Sequence, residues 1–163
     1  QLVRDVETLL RIEYGLDVDH KKISVVQLNK EQKHFQDKRL KFSTIQYSLS
    51  GTKLEALVEL SSPKRSCQGK SCGVNSNSNR LRLFAEATLN AVNDFLDSGT
   101  SVLLEDVVEY PVGRQNLISA ALTYINGTNE EYLVGSALVK QDEKEAVVRA
   151  TLDALNRRIS FDL

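Results

Sequence analysis

The sequence predicts an α+β domain made of two β-β-β-α copies, with their two helices packed on one face of antiparallel sheet. Three observations carry this: a self-match along the chain, two matched amphipathic stripes, and hairpin punctuation ahead of each stripe. The self-match comes first, because a missed duplication misreads the whole architecture. Displaced by 63 positions, EATLNAVN (86–93) lies over RATLDALN (149–156) with five identities: Ala87/Ala150, Thr88/Thr151, Leu89/Leu152, Ala91/Ala154 and Asn93/Asn156. The same displacement sets Tyr47 on Tyr110, Ile45 on Val108 and Leu54 on Leu117.

Both matched segments read as helices. Ala85, Leu89, Val92 and Leu96 recur at i, i+4, i+7 and i+11, which is one helical face, and Val148, Leu152, Leu155 and Ile159 repeat it. The alanines beside each stripe would let a helix lie close on a sheet. Asn79 before Arg80, and Asp142 followed three residues later by Glu145, mark the helix starts.

Ahead of each helix the pattern is that of strands. Residues 40–50 and 52–62 form a hairpin around Ser50-Gly51, and 102–112 and 117–125 form another around Gly113. Asn126-Gly127 turns into a third strand at 130–139. In the first copy the third strand falls on the Cys-containing stretch through Val74, followed by the polar NSNSN tract, so it should be shorter or frayed. The copies are bounded as 39–98 and 102–163. Residues 1–38 stand outside them as a helix–strand unit: Val3, Val6 and Leu10 share a helical face ending near Gly15, a strand spans 22–28, and a polar connector follows.

Composition narrows the class. Hydrophobic residues are 41% and charged ones 26% of 163 residues, enough apolar material for a core. No apolar run approaches the roughly 18–20 residues of a membrane span, and Asp5 and Glu7 interrupt the N-terminal apolar stretch, so no signal peptide is expected. The expected location is cytoplasmic. The chain opens with Gln1 and has no Met, which reads as an excised domain. Its net charge of −1 hides an asymmetry: residues 1–82 carry 15 Lys/Arg against 9 Asp/Glu, and residues 83–163 carry 6 against 13. Such a dipole suits head-to-tail partners or an anionic neighbour.

The duplicated β-β-β-α pattern and the closing helix AVVRATLDALNRRI resemble the C-terminal regulatory (dimerisation) domain of the isopropylmalate synthase and homocitrate synthase group, over about residues 40–160. That resemblance implies a module that binds an amino-acid end product near a dimer interface and inhibits a separate catalytic barrel. The chain departs from that pattern: it has no barrel, its first third strand is replaced by the Cys and Asn/Ser tract, and its N-terminal unit is unrelated. No leucine-binding residue is carried over.

Catalytic chemistry finds no foothold in the residues. His20 and His34 sit in a charged linker, no serine occupies a G-x-S-x-G elbow, and there is neither a Walker loop nor a dinucleotide fingerprint. Glu105-Asp106 and Glu130-Glu131 are adjacent, so alternation along a strand separates each pair. Cys67 and Cys72 lack further ligands for zinc and read as free thiols. No cofactor, metal or enzymatic activity is expected.

The sequence therefore reads as a non-catalytic regulatory or assembly module: a homodimer or the neighbour of another domain, with a small-molecule effector as a further partner. Tyr47, Tyr110, Gly73 and Gly135 are its candidate ligand or interaction residues. The alternative is a nucleic-acid-binding module using the basic segment 20–41, where Lys21, Lys22, Lys30, Lys33, Lys38, Arg39 and Lys41 would meet phosphates. One aromatic, Phe35, within that run is little for base stacking.

Overall fold

Three glycines fold the strands back on themselves. In a computed structural model, which describes residues 39–96 and 98–158, Gly51, Gly113 and Gly127 have φ of 59°, 62° and 61°. Each is the first residue of a two-residue turn whose second residue is not glycine and keeps a negative φ, the pattern of a II′ hairpin. They join β1 (Lys41–Ser50) to β2 (Lys53–Ser61), β4 (Thr100–Val112) to β5 (Gln115–Asn126), and β5 to β6 (Asn129–Leu138). The remaining hairpin, β2 to β3 (Ser66–Val74), has a wider loop in which Ser62 closes on the Arg65 carbonyl. Helices α1 (Asn77–Asn93) and α2 (Glu143–Asn156) follow the two triplets.

The class is α+β and the β-β-β-α arrangement occurs twice. The six strands divide into two antiparallel sheets, β1-β2-β3 and β4-β5-β6. Helix α1 lies on β2 and β3, α2 lies on β5 and β6, the helices touch, and each also reaches the other copy's first strand, α1 to β4 and α2 to β1.

The duplication extends to burial. The buried set of α1 is Leu83, Phe84, Ala85, Ala87, Thr88, Leu89, Ala91 and Val92. That of α2 is Ala146, Val147, Val148, Ala150, Thr151, Leu152, Ala154 and Leu155, the same eight positions displaced by 63. Thr88 and Thr151 are fully buried, and each donates its hydroxyl to the carbonyl four residues back, Phe84 at 2.7 Å and Val147 at 2.9 Å. Leu96 lies beyond the end of α1, and Ile159 is outside the described residues.

The strands obey a different displacement. A β-bulge interrupts the β1–β2 ladder between Phe42 and Thr44, and another interrupts β4–β5 between Leu104 and Asp106. Superposing the bulges pairs Phe42 with Leu104, Ile45 with Val107 and Leu60 with Leu122, a shift of 62. Because side chains alternate between faces, one residue of slip moves a strand's whole inward set outward. The matches Tyr47/Tyr110, Ile45/Val108 and Leu54/Leu117 are thus out of register. Tyr47 pairs with fully buried Ala56 and shares its helix-side face, whereas Tyr110 pairs with Leu117 on the opposite face of its sheet.

The third strand of the first copy is shorter than its counterpart as expected, but by one residue only: β3 is paired with β2 from end to end, with no fraying. The start of the first helix is corrected. The NSNSN tract is ordered as the start of α1: Ser76 caps it by accepting from Asn79 N–H, so the helix begins at Asn77 and not after Asn79. Its capping hydroxyl supplies what the tract's low hydrophobicity cannot. Asp142 does cap α2, accepting from Lys144 N–H at 2.9 Å. The unit proposed for residues 1–38 lies outside the described residues.

Candidate functional site: two grooves and an open sheet face

The first groove forms where the N-terminal end of β1 meets α2. Asn156 reaches across to Leu40, accepting from its backbone N–H and donating to its carbonyl, both at 3.0 Å. That two-point tie holds the start of β1 against the far copy's helix. Phe42 and Leu152 supply apolar wall, and Arg39, Lys41, Arg149 and Arg157 bring positive charge beside Asp153, the one carboxylate among the described lining residues. The cavity measures about 710 Å³. Arg149 lies 4.8 Å over the Phe42 ring and bonds Glu145 at 2.7 Å, while Arg157 grips both oxygens of Asp153 at 3.2 and 2.9 Å.

Its counterpart lies between β4 and α1. Under the displacements of the two layers, Leu40, Lys41 and Phe42 become Val102, Leu103 and Leu104, and Arg149, Leu152, Asp153 and Asn156 become Glu86, Leu89, Asn90 and Asn93; all seven line a groove of about 360 Å³. Its charges are reversed: one cation, Arg82, against Glu86 and Glu105. Arg82 donates to the Glu105 carbonyl at 3.0 Å. The duplication has thus kept the lining positions of the groove and differentiated its size and electrostatics.

The third feature is the outer face of β4-β5-β6, away from the helices. Cross-strand pairing places Val108, Tyr110, Val112, Tyr132, Val134 and Leu138 there, all 40–64% exposed, with Leu117 and Ala121 between them. Its hydroxyls satisfy one another in a row: Tyr110 to Ser119 at 3.1 Å, Ser119 to Ser136 at 2.8 Å. The charges it carries are Glu105 and Asp106 on the edge strand and Glu130 at the far end. The equivalent face of β1-β2-β3 is mostly polar, with Thr44, Gln46, Ser48, Glu55, Glu59, Gln68 and Lys70 around Leu57, and Val74 at its end.

The sequence candidates scatter over these features. Arg39 and Lys41 enter the basic groove; Lys21, Lys22, Lys30, Lys33 and Lys38 lie outside the described residues. Tyr110 belongs to the open face. Tyr47 stands edge-on to Phe84 with ring centroids 6.2 Å apart and Lys144 Nζ 5.2 Å from its own, so the two tyrosines share no cavity. Gly135 is a packing position: a Cβ there would fall 2.2 Å from the Ala150 carbonyl oxygen and 2.2 Å from the Ala154 nitrogen. Its equivalent is Gly69, not Gly73, for a Cβ at Gly69 meets Ala87 O at 2.1 Å and Ala91 N at 2.2 Å. Gly73 faces Leu83 and Asn79 near the start of α1.

No protein-family model matches the chain, and no curated protein matches it either. The site must be read from its own chemistry.

That chemistry is modest. Glu105 is the extra residue of the β4 bulge, so alternation does not separate it from Asp106; the two are tied off individually, Glu105 by Thr123 at 2.8 Å and Asp106 by the Val107 N–H at 2.8 Å. Cys67 and Cys72 are free and fall on opposite faces of β3. Burial holds the Cys67 thiol above its ordinary pKa, and the nearby Asp94 carboxylate adds to this against a smaller opposing pull from Arg65. Among the described residues no three His, Cys, Asp or Glu side chains gather as metal ligands, and no helix is long and apolar enough to cross a membrane.

Proposed function

We infer that this chain is a non-catalytic assembly module of regulatory type, which self-associates by pairing the outer face of β4-β5-β6 with the same face of a second copy. The observation that carries the reading is the contrast between the two sheets: the outer face of one copy is mostly polar, and that of the other exposes six large apolar side chains around a row of hydrogen-bonded hydroxyls. A contiguous exposed apolar patch of several hundred Å² on a folded chain often marks an interaction surface.

Size decides the strength. Three strands of some ten residues, spaced about 4.8 Å apart and rising about 3.3 Å per residue, make a face on the order of 500 Å². A standard stable interface removes about 800 Å² from each partner, so the pairing is weak and reversible. A two-fold arrangement brings Val108, Tyr110, Val134 and Leu138 into the middle and leaves the edge-strand carboxylates at the rim. An identical partner therefore fits without burying unpaired charge.

Sedimentation over a concentration series tests this. The native chain is expected to move from monomer to dimer, and Tyr132→Lys with Val134→Lys, both at exposed positions, to remain monomeric. A native chain that stays monomeric at several hundred micromolar overturns the reading.

A further inference from the structure

We propose that the groove between β1 and α2 is a binding site for a small, multiply charged oxyanion, such as a phosphate ester or a dicarboxylate. The proposal stands apart from self-association, because the groove and the apolar face are different surfaces.

The argument rests on what the duplication kept and what it changed. Two grooves descend from one shape, lined by seven equivalent positions. Had neither been used, their charges would have drifted without pattern. Instead Arg149 stands where the other groove has Glu86, Arg157 where α1 is followed by Asp94, Lys41 where β4 has Leu103, and Arg39 where it has Ser101. These four differences add positive charge to the same groove, and they outnumber the two that add a carboxylate, Asp153 where the counterpart has Asn90 and Glu145 where it has Arg82. At about 710 Å³ the cavity also falls within the roughly 300–1,000 Å³ of small-molecule sites, while its counterpart at about 360 Å³ sits near the lower limit.

The arginines are already placed for such a ligand. Arg149 has its guanidinium carbon 4.8 Å from the Phe42 ring centroid, a contact that restrains a planar group able to match an oxyanion in bidentate fashion. The Arg149–Glu145 and Arg157–Asp153 ion pairs are largely exposed, with side-chain exposures of 56% and 40%, and 71% and 31% in that order. Such pairs are weak enough to yield to a ligand with two or more charges. Phe42 and Leu152 offer apolar wall to the carbon part of an ester or dicarboxylate.

The probes are inorganic pyrophosphate and succinate, titrated into the 163-residue chain by calorimetry and by amide chemical-shift mapping. One of them is expected to bind saturably at one site, to move the amides of residues 39–42 and 149–157, and to weaken as salt is raised. Arg149→Gln with Arg157→Gln should reduce affinity at least about tenfold, or about 1.4 kcal/mol. Arg82→Gln in the counterpart groove should leave it unchanged. If the double variant is destabilised in thermal unfolding, Arg39→Gln, outside the helix, gives the same readout. No saturable binding of either probe at millimolar concentration overturns the proposal. So does tight binding of a single-stranded oligonucleotide through these residues when neither small anion binds.

Discussion

Gly69 and Gly135 hold the same place in the two copies: each is the strand residue on which its helix rests, and a Cβ at either would lie within 2.2 Å of two backbone atoms of that helix. The clash is with backbone, Ala87 and Ala91 in one copy and Ala150 and Ala154 in the other, so no side-chain rotation can relieve it. Helix and sheet must move apart.

Gly69→Ala and Gly135→Ala are therefore each expected to cost about 3 kcal/mol or more, at the upper end for overpacking. Gly51→Ala is the comparison, since nothing lies within 4 Å of its added Cβ and only its φ of 59° is strained. Its cost should be near 1 kcal/mol. Chemical denaturation of the three variants, read at unchanged m-value, checks the order.

Asn156 and Asn93 are identical in the self-match and unequal in the structure. Asn156 satisfies both backbone groups of Leu40, a residue only 2% exposed, whereas Asn93 is exposed and makes no such tie. Asn156→Ala leaves a buried donor and acceptor without partners and should cost about 2–3 kcal/mol. Asn93→Ala should change stability by less than about 0.5 kcal/mol. Amide exchange at Leu40 in the Asn156→Ala chain should rise with it.

The duplication, the buried helix faces and three of the hairpin turns were legible because each depends on local pattern: a period near 3.6, or a glycine where φ must be positive. Strand register was not. The β5–β6 hairpin gains four residues over β2–β3, and α1 gains a first turn of three at Asn77–Asn79, so strand shifts of 62 and 66 settle to 63 in the helices. A gapless comparison hides such compensating changes and leaves β1 and β2 one residue out. The groove was missed for a different reason, since it joins Leu40 to Asn156 across the two copies. Its signal was nevertheless present inside the matched octets. Of the three positions that differ there, Glu86/Arg149 and Asn90/Asp153 line the two grooves, and only Val92/Leu155 is core.

The cap of α2 makes the protein sensitive to acid. Burial opposes ionisation of Asp142, but hydrogen bonds from the Lys144 ammonium and backbone N–H, with the ammonium charge, outweigh it and hold the carboxyl below its ordinary 3.8. A carboxyl lowered on folding stabilises the fold above its unfolded pKa, and that gain disappears as pH falls through the folded value. Asp142→Asn keeps a capping acceptor without the charge. It should be less stable than native by about 0.5 kcal/mol at neutral pH, a small figure because the pair is partly exposed. The gap should close as the pH falls below the ordinary carboxylate range, in paired thermal melts.

Cys67 and Cys72 should differ sharply as nucleophiles although five residues of one strand separate them. Cys72 is exposed on the outer face of β3, opposite Glu55, where reagents reach it directly. Cys67 is half-buried against the core opposite Leu60, in the place that Leu133 takes in the second copy, and so acts as a small apolar side chain. Reaction requires the thiolate, and at Cys67 burial and the nearby Asp94 carboxylate favour the protonated form, with Arg65 opposing them only in part. Iodoacetamide near pH 8 should therefore modify Cys72 at least about tenfold faster than Cys67, the gap closing when the chain is denatured. Asp94→Asn removes the carboxylate's charge and leaves the burial, so it should speed Cys67 modestly and leave Cys72 unchanged. Peptide mass mapping over a time course distinguishes the two sites, and equal rates in the folded chain would contradict the packing assigned to Cys67.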